Sequence, residues 1–474
     1  MNTFSAAVAK AQSEEVSRTE NGMKAHATTD SKILDLFGKI GSGRGRDMTR
    51  EFMGALGEDE NLAVRVLLWA RDARGGAGER GTFRSLLAKL EDGNPTLAGR
   101  IMHKIPMLGR WDDLFTYRDP INRKEALRMY ADALMDGNGL AAKWAPREKS
   151  TKKAIAVELR KFMGLDPKSY RKLLVNKTNV VETQMCAKDW KNIDFSKVPS
   201  LAAARYQKAF GRNAGEKYAA YIRELQKPQN ERDPKVKINA GAVYPYDVVK
   251  SLRHGNEAVA DAQFEALPDY VGDTKILPMV DVSGSMGVPL AGNTSAMDVA
   301  ISLGLYLSDR TSSDFKDMFL TFSGRSKINT LKGTLSKKFQ QMSRAEWGMN
   351  TNLHSAFEEI LNVAKSGKVS QDNMPDYVLI LSDMQFDYCV RYDDSALEMI
   401  KRKYKDAGYK MPNVIFWNLT ARADNTPVKT NDKGVALVSG FSPAIMATVL
   451  GADPEEFSPW NMMMKVIMDE RYDY

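Results

Sequence analysis

The chain has 474 residues, of which 43% are hydrophobic and 27% charged, and its formal net charge is +8. This composition is ordinary for a globular protein, and the length accommodates about three domains of ~150 residues. It excludes a wholly disordered or collagen-like chain and, without a run of about 18 uncharged apolar residues, a membrane-spanning one. The first 25 residues contain no apolar segment, and the two cysteines, Cys186 and Cys389, cannot form a disulfide framework. We therefore expect a cytoplasmic protein without a secretory signal.

The charge is unevenly distributed along the chain. Residues 1–250 hold 45 Lys and Arg against 31 Asp and Glu, whereas residues 251–474 hold 23 against 29. Residues 141–240 alone hold 23 basic and 10 acidic side chains. A basic stretch within a folded region favours a polyanionic partner, above all nucleic acid. The alternative is a solvated helical surface that is merely rich in lysine.

The first half of the chain has a helical hydrophobic pattern. Residues 1–30 are polar and predict a flexible tail, after which Ser31 can cap a helix that carries Leu34 and Phe37 on one face. Asp166 and Pro167 are typical of another helix start. Almost no alternating strand pattern precedes residue 270. The pattern predicts an α-helical domain over residues 31–265, with helices over these segments: 61–73, 82–90, 201–210 and 218–225.

The pattern changes near Pro268, where short apolar runs begin to alternate with helical segments. The runs predict strands at 275–282, 315–322, 377–382, 413–418 and 435–438. The segments between them predict helices at 297–310, 353–364 and 396–407. Such alternation is typical of a doubly wound α/β sheet with helices on both faces, here over residues 271–474 with a C-terminal helix. Ligands of these sheets bind at the carboxyl ends of the strands.

A metal-binding pattern lies at those carboxyl ends. Asp281-Val-Ser283-Gly-Ser285 follows the first predicted strand, Thr351 precedes a predicted helix, and Asp383 follows another strand. Two carboxylates and three hydroxyls are hard oxygen ligands, which predict Mg²⁺ or another divalent cation such as Mn²⁺ or Ca²⁺. The alternatives are capping hydroxyls at a sheet edge without metal, and a metal site without a partner.

This pattern resembles the metal-ion-dependent adhesion site (MIDAS) of von Willebrand factor A domains. The resemblance implies that Ser283, Ser285 and Thr351 contact the ion directly, and that Asp281 and Asp383 act directly or through water. It also implies an open coordination position for a carboxylate of a protein partner.

Several strings in the first half resemble the Ro-related (TROVE-type) RNA-binding proteins. They include Arg71-Asp-Ala-Arg-Gly-Gly-Ala-Gly-Glu-Arg80, Gly109-Arg-Trp-Asp-Asp-Leu114 and Ala142-Lys-Trp-Ala-Pro146. The resemblance implies a ring of HEAT-like helical repeats that the von Willebrand factor A domain closes. It further implies a ribonucleoprotein that binds single-stranded RNA ends in the ring and structured small RNAs on its basic outer face.

Basic residues of the helical half are the candidate RNA contacts, because Lys and Arg bind phosphates. Aromatic residues lie among them, but Tyr170 and its neighbours are better explained as core positions than as stacking platforms. The candidate RNA-binding residues are Arg71, Arg74, Arg80, Lys143, Lys152, Lys153, Arg171, Lys172, Lys177, Lys191, Arg205 and Lys208.

Three functions remain open from the sequence. The first is a non-enzymatic, monomeric RNA-binding protein whose Mg²⁺-binding domain closes the ring or recruits a protein. The second is a protein-interaction module that uses its metal to bind an acidic partner. The third, a metal-dependent nuclease, is disfavoured because the sequence shows no evident catalytic base or nucleophile.

Overall fold

The computed structural model of the chain describes residues 16–241, 243–252, 257–291, 294–322, 325–345, 351–386, 396–422, 425–450, 453 and 456–474. Cys389, for which we expect a reduced thiol, lies outside the described residues. The free thiol of Cys186 is exposed.

Residues 32–265 form the helical region. Its α-helices are α1 Lys32–Ile40, α2 Thr49–Glu58, α3 Glu60–Arg71, α4 Arg80–Gly93, α5 Pro95–Arg100, α6 Ile105–Leu108, α7 Pro120–Met135, α8 Gly139–Trp144, α9 Lys153–Phe162, α10 Pro167–Lys177, α11 Val181–Cys186, α12 Ser200–Asn213, α13 Gly215–Leu225, α14 Pro245–Leu252 and α15 Glu257–Glu265. The Ser31 hydroxyl accepts a hydrogen bond from the Leu34 amide, and Asp166 caps α10 in the same way. Helix α3 begins earlier than the pattern predicted, because the Asp59 carboxylate caps it.

The second half is an α/β domain around a mixed sheet. Its strands are β3 Ile276–Val280, β4 Pro289–Ala291, β5 Thr294–Ser295, β6 Met318–Thr321, β7 Ile328–Thr330, β8 Tyr377–Ser382, β9 Asn413–Asn418 and β10 Val435–Ser439. Its helices are α16 Ala296–Arg310, α17 Leu335–Ser343, α18 Leu353–Ser366, α19 Ala396–Asp406, α20 Met446–Val449 and α21 Pro459–Ile467. The six-stranded sheet has the order β10-β9-β8-β3-β6-β7, and only β7 is antiparallel to its neighbour.

The two faces of the sheet bury different cores. On one face, Ile276, Val280 and Leu379 join a core that includes α16, α21 and much of the helical region. On the other face, Leu277 and Met279 pack with α18 and α19. The prediction of helices on both faces is therefore confirmed. Strands β3 and β8 are mainly apolar because both of their faces are buried.

The two ends of the helical region both dock on the first of these faces. Helix α1 packs on β10, where the Ser439 hydroxyl donates to the Phe37 carbonyl at 2.6 Å and accepts from the Gly41 amide at 3.0 Å. Helix α14 packs on α16. Helices near both ends of the helical region therefore contact the sheet domain on the same side.

Residues near the beginning and the end of the helical region also touch each other. The Arg44 guanidinium pairs with Glu79 at 2.9 Å and donates to the Tyr246 hydroxyl at 3.4 Å. Gly78, at φ +70°, lies directly beneath the Tyr244 hydroxyl. We call Arg44, Gly78, Glu79, Tyr244 and Tyr246 the closure cluster. It joins segments that are about 165–200 residues apart in sequence.

The prediction that residues 1–30 form a flexible tail is corrected for residues 16–30. Strands β1 Val16–Arg18 and β2 Lys24–His26 form an antiparallel hairpin, and Met23 is buried in the core with α18 and α19. These strands are only three residues long, too short for an alternating pattern to be recognised. Residues 1–15 lie outside the described part of the chain.

Candidate metal centre and basic helical surface

Asp281 and Asp383 follow neighbouring strands. Strands β3 and β8 are parallel and adjacent, and Val280 pairs in register with Leu381. The residue after each strand therefore lies at the same edge of the sheet, as the sequence predicted. Both aspartates are almost completely buried, at 0% and 2% exposure.

The Asp281 carboxylate is held through both of its oxygens. Oδ1 accepts a hydrogen bond from the Ser283 amide at 2.9 Å, and Oδ2 accepts one from the Ser382 hydroxyl at 2.6 Å. Burial, followed by the nearby charge of Asp383, raises the pKa of Asp281 to about 6. Two buried carboxylates thus repel each other without enough positive charge to compensate.

The three predicted hydroxyl groups lie on segments next to these aspartates. The hydroxyls of Ser283 and Ser285 are 3.0 Å apart on a half-buried turn. The Thr351 hydroxyl donates to the Gln385 carbonyl at 2.8 Å, and the Gln385 amide donates to Asp383 Oδ1 at 3.2 Å. A hydroxyl that binds a cation must point its proton elsewhere, which is how Thr351 is arranged.

This donor set suits a hard divalent cation. A cation at this edge would relieve the repulsion between Asp281 and Asp383 and would take lone pairs of the hydroxyls. Within the described residues, no three His, Cys, Asp or Glu side chains are grouped to hold a metal ion. The candidate centre therefore depends on its serine and threonine oxygens.

The sequence did not reveal three residues at this centre. Ser382 binds Asp281, Gln385 bridges Thr351 and Asp383, and Asn21 donates to the Thr351 hydroxyl at 3.4 Å. Ser382 and Gln385 flank Asp383, and a search of its neighbours would have found them. Asn21 is 330 residues from Thr351 in sequence, and no local pattern indicates this contact.

The structure separates the predicted RNA-binding residues into two groups. The prediction that Arg71 contacts RNA was wrong, because its side chain is buried and pairs with Asp113 at 2.7 Å. Lys152 pairs with Asp112 at 2.7 Å, and the Lys143 ammonium lies 5.6 Å from the Trp144 ring centre. Lys177 is half-buried, and the exposed candidates are Arg74, Arg80, Lys153, Arg171, Lys172, Lys191, Arg205 and Lys208.

Helices α10 and α12 carry much of this exposed charge. Neither helix contains an Asp or a Glu. On α12, Arg205, Lys208 and Arg212 lie at i, i+3 and i+7 on one exposed face, opposite the buried Phe210. Among the described residues, these three side chains form no ion pair. We call Arg205, Lys208 and Arg212 the α12 basic stripe.

The aromatic side chains among the cations belong mainly to the core. Tyr170 is buried and its hydroxyl donates to the Pro146 carbonyl at 3.0 Å. The Arg110 guanidinium covers Trp144 at 3.2 Å from the ring centre. The expectation of core positions is confirmed for Tyr170, and Trp144 has one face occupied by Arg110.

No helix in the described part of the chain is both long and apolar enough to cross a membrane.

Comparisons with known proteins place the chain in a family. Residues 275–470 match a domain of unknown function, DUF7788, and residues 131–274 match a second one, DUF2828. "Uncharacterized protein L728" of Acanthamoeba polyphaga mimivirus is 32% identical over 517 aligned positions, which cover 95% of this chain and 87% of the viral protein. The chain belongs to the same family as this mimivirus protein.

A solved structure also shows similarity to this chain. The crystal structure of the Deinococcus radiodurans RO (RSR) protein covers 93% of this chain and 100% of its own, with 14% identity and a TM-score of 0.38. A TM-score of 0.38 is too low to establish a common fold.

Proposed function

We propose that the protein is a non-enzymatic RNA-binding protein whose basic helices contact RNA phosphates. The observation that carries this proposal is the exposed, acid-free charge of α10 and α12. A lysine-rich surface that serves only solubility usually interleaves its cations with acidic side chains. Cations on helices that contain no acidic side chain attract a polyanion and release its counterions on binding.

The helical region is further proposed to form a closed ring of HEAT-like repeats, with the protein acting as a monomer. The closure cluster supports this architecture, because it links distant parts of the helical region within one chain. The sheet domain, which we assign to the von Willebrand factor A type, would hold the ring closed, since both ends of the helical region dock on it.

Substitution of the α12 basic stripe tests the RNA-binding proposal. The triple variant Arg205→Ala/Lys208→Ala/Arg212→Ala should weaken binding of a single-stranded RNA by roughly tenfold or more. Its salt slope should fall by about 0.7 for each phosphate that the variant no longer neutralises. The matched control is Lys365→Ala/Lys405→Ala/Lys410→Ala, which removes three exposed lysines from the sheet domain. Equal binding by wild type and both variants would contradict the proposal.

The candidate centre also favours a metal-dependent interaction with a protein carboxylate. The aspartates are buried whereas the Ser283 and Ser285 turn is half-exposed, so a bound ion would have its open side toward solvent. Mg²⁺ would supply an electrophilic position for a partner's Asp or Glu. Mn²⁺ titration should show one site that Asp281→Ala abolishes and that Asp376→Ala, at the other end of the sheet, preserves.

We propose that neither surface is catalytic. Labelled RNA should remain intact on prolonged incubation with the protein and Mg²⁺ or Mn²⁺. RNA fragments that the wild type produces and the Asp383→Ala variant does not would instead support a metal-dependent nuclease.

A further inference from the structure

The N-terminal hairpin reaches the two segments that carry Thr351 and Asp383. The Thr19 hydroxyl donates to the Phe386 carbonyl, and the Glu20 amide donates to Gln385 Oε1 at 2.7 Å. The Asn21 side-chain amide donates to the Gln385 carbonyl at 2.9 Å and to the Thr351 hydroxyl at 3.4 Å. One turn therefore contacts both segments.

The hairpin is anchored on its other side to the same domain. His26 exchanges two backbone hydrogen bonds with Thr426, and the Asn425 side chain donates to the Arg18 carbonyl at 3.2 Å. Met23 is buried among residues of β3, β8 and α18. The turn thus rests on a fixed base and can restrict the segments that it contacts.

The contacts of the Thr351 hydroxyl indicate how the turn orients a metal-binding oxygen. Its proton points to the Gln385 carbonyl, and the Asn21 amide occupies one of its lone-pair directions. Both contacts fix the orientation of the oxygen before an ion arrives. A donor oxygen that is already oriented loses less conformational entropy when it binds.

We propose that the turn Thr19–Gly22 is a structural part of the metal centre, and that hairpin docking and ion binding stabilise each other. Asn21 is a positioning residue that acts through Thr351 and Gln385. This inference rests on the proposed divalent-cation site. Because coupling between two equilibria is reciprocal, hairpin docking raises the affinity for the ion, and the ion protects the hairpin by the same factor.

Mn²⁺ titration of variants, followed by electron paramagnetic resonance, is the first test. Asn21→Ala removes both side-chain hydrogen bonds of Asn21 and should weaken Mn²⁺ binding about fivefold, which corresponds to the net contribution of one ordinary hydrogen bond. Asn61→Ala, which changes an exposed asparagine of α3, is the control and should bind as wild type does. An unchanged affinity in the Asn21→Ala variant overturns the inference while leaving the metal site intact. A wild type that binds no Mn²⁺ overturns both.

Hydrogen exchange provides a second readout that does not depend on a substitution in the hairpin. Addition of Mg²⁺ to the wild type should slow amide exchange in residues 16–26, and the Asp281→Ala variant should show no such change. Protection confined to residues 281–286 and 351–386 would show an ion that binds without the hairpin, which contradicts the inference.

Discussion

The Asp112–Asp113 pair explains a motif whose role the sequence did not reveal. Asp113 is completely buried and forms ion pairs with Arg71 at 2.7 Å and with Arg84 at 2.6 Å. Asp112 receives Arg110 at 2.9 Å and Lys152 at 2.7 Å. The two carboxylates therefore form ion pairs with four basic side chains from α3, α4 and later segments, so the motif stabilises the fold.

This arrangement predicts an acid-sensitive contribution to stability. Although burial raises the pKa of Asp112, the hydrogen bond from Lys152 and the charges of Arg84 and Arg110 lower it to about 2. A depressed carboxyl pKa stabilises the fold above the unfolded value of 3.8, and this stabilisation is lost as the pH falls from about 4 to about 2.

Asp112→Asn should remove that dependence and cost about 2 kcal/mol of unfolding free energy at pH 7. Urea unfolding at several pH values measures both effects. Parallel pH curves for variant and wild type would contradict this assignment. Asp119→Asn, at a half-exposed helix cap, is the comparison.

Substitution of Gly78 tests the packing of the closure cluster at a single residue. A Cβ at this position would lie 2.1 Å from the Tyr244 hydroxyl, and φ is +70°. Gly78→Ala should therefore lower the unfolding free energy by about 2 kcal/mol or more, from backbone strain and overpacking.

The double variant Gly78→Ala/Tyr244→Phe separates the two causes. Removing the hydroxyl should restore part of the stability, since the next ring atom is 3.2 Å from the added Cβ. A double-mutant cycle in urea measures the coupling. Additive effects of the two substitutions would show that the closure cluster is not packed as described.

At the scale of elements, sequence patterns located the central strands of the sheet but missed the short strands and several helices, among them the 16-residue α7. The strands predicted at 377–382 and 413–418 have these bounds in the structure, because each is a continuous apolar run buried on both faces. The three-residue strands β1, β2, β4 and β7 were not predicted. Strands this short show no recognisable alternation, and the isolated bridge between His26 and Thr426 joins residues far apart in sequence.

One buried serine contributes to the docking of α1 on β10. Ser439→Ala leaves the Phe37 carbonyl and the Gly41 amide without their hydroxyl partner. We expect a decrease of about 2–3 kcal/mol in unfolding free energy. Ser366→Ala, which removes an exposed hydroxyl of α18, should change stability by less than about 0.5 kcal/mol. Similar stability for the two variants in urea would contradict the docking contact.

At the scale of the whole molecule, the C-terminal segment also joins the sheet domain to the helical region. The Arg471 side chain donates to the buried Asp72 carboxylate at 2.7 Å and 2.9 Å, and the Tyr472 hydroxyl adds a bond at 3.2 Å. Arg65 of α3 pairs with Asp473 at 2.5 Å. The two halves therefore share one core and several polar contacts.

Removal of Arg471 tests this junction. Arg471→Ala should destabilise the protein by about 2–3 kcal/mol, because one oxygen of the buried Asp72 loses a charged partner that donates two hydrogen bonds to it. The stability of the Arg471→Lys variant should lie between that of Arg471→Ala and that of the wild type, since a lysine keeps the charge but not the geometry of the guanidinium. Thermal unfolding measures the order of the three proteins. Equal midpoints would show that the C-terminal contact contributes nothing.

The candidate site was partly predictable at this scale. Parallel strands end at one edge of a sheet, so Asp281 and Asp383 were placed together from the sequence, as were the hydroxyls beside them. Arg71 was assigned wrongly because charge alone does not show whether a side chain is exposed. Asn21 was missed because its contacts with Thr351 and Gln385 form only when the N-terminal hairpin packs against residues more than 300 positions away.

RNA titration of the wild-type protein tests the central claim most directly. The probe is a fluorescent RNA duplex with a single-stranded 3′ extension, compared with a blunt duplex and a matching DNA at several salt concentrations. We predict tight binding that requires the extension, weakens steeply with salt and persists in EDTA. Weak binding that is equal for all three nucleic acids would contradict the proposed RNA-binding function.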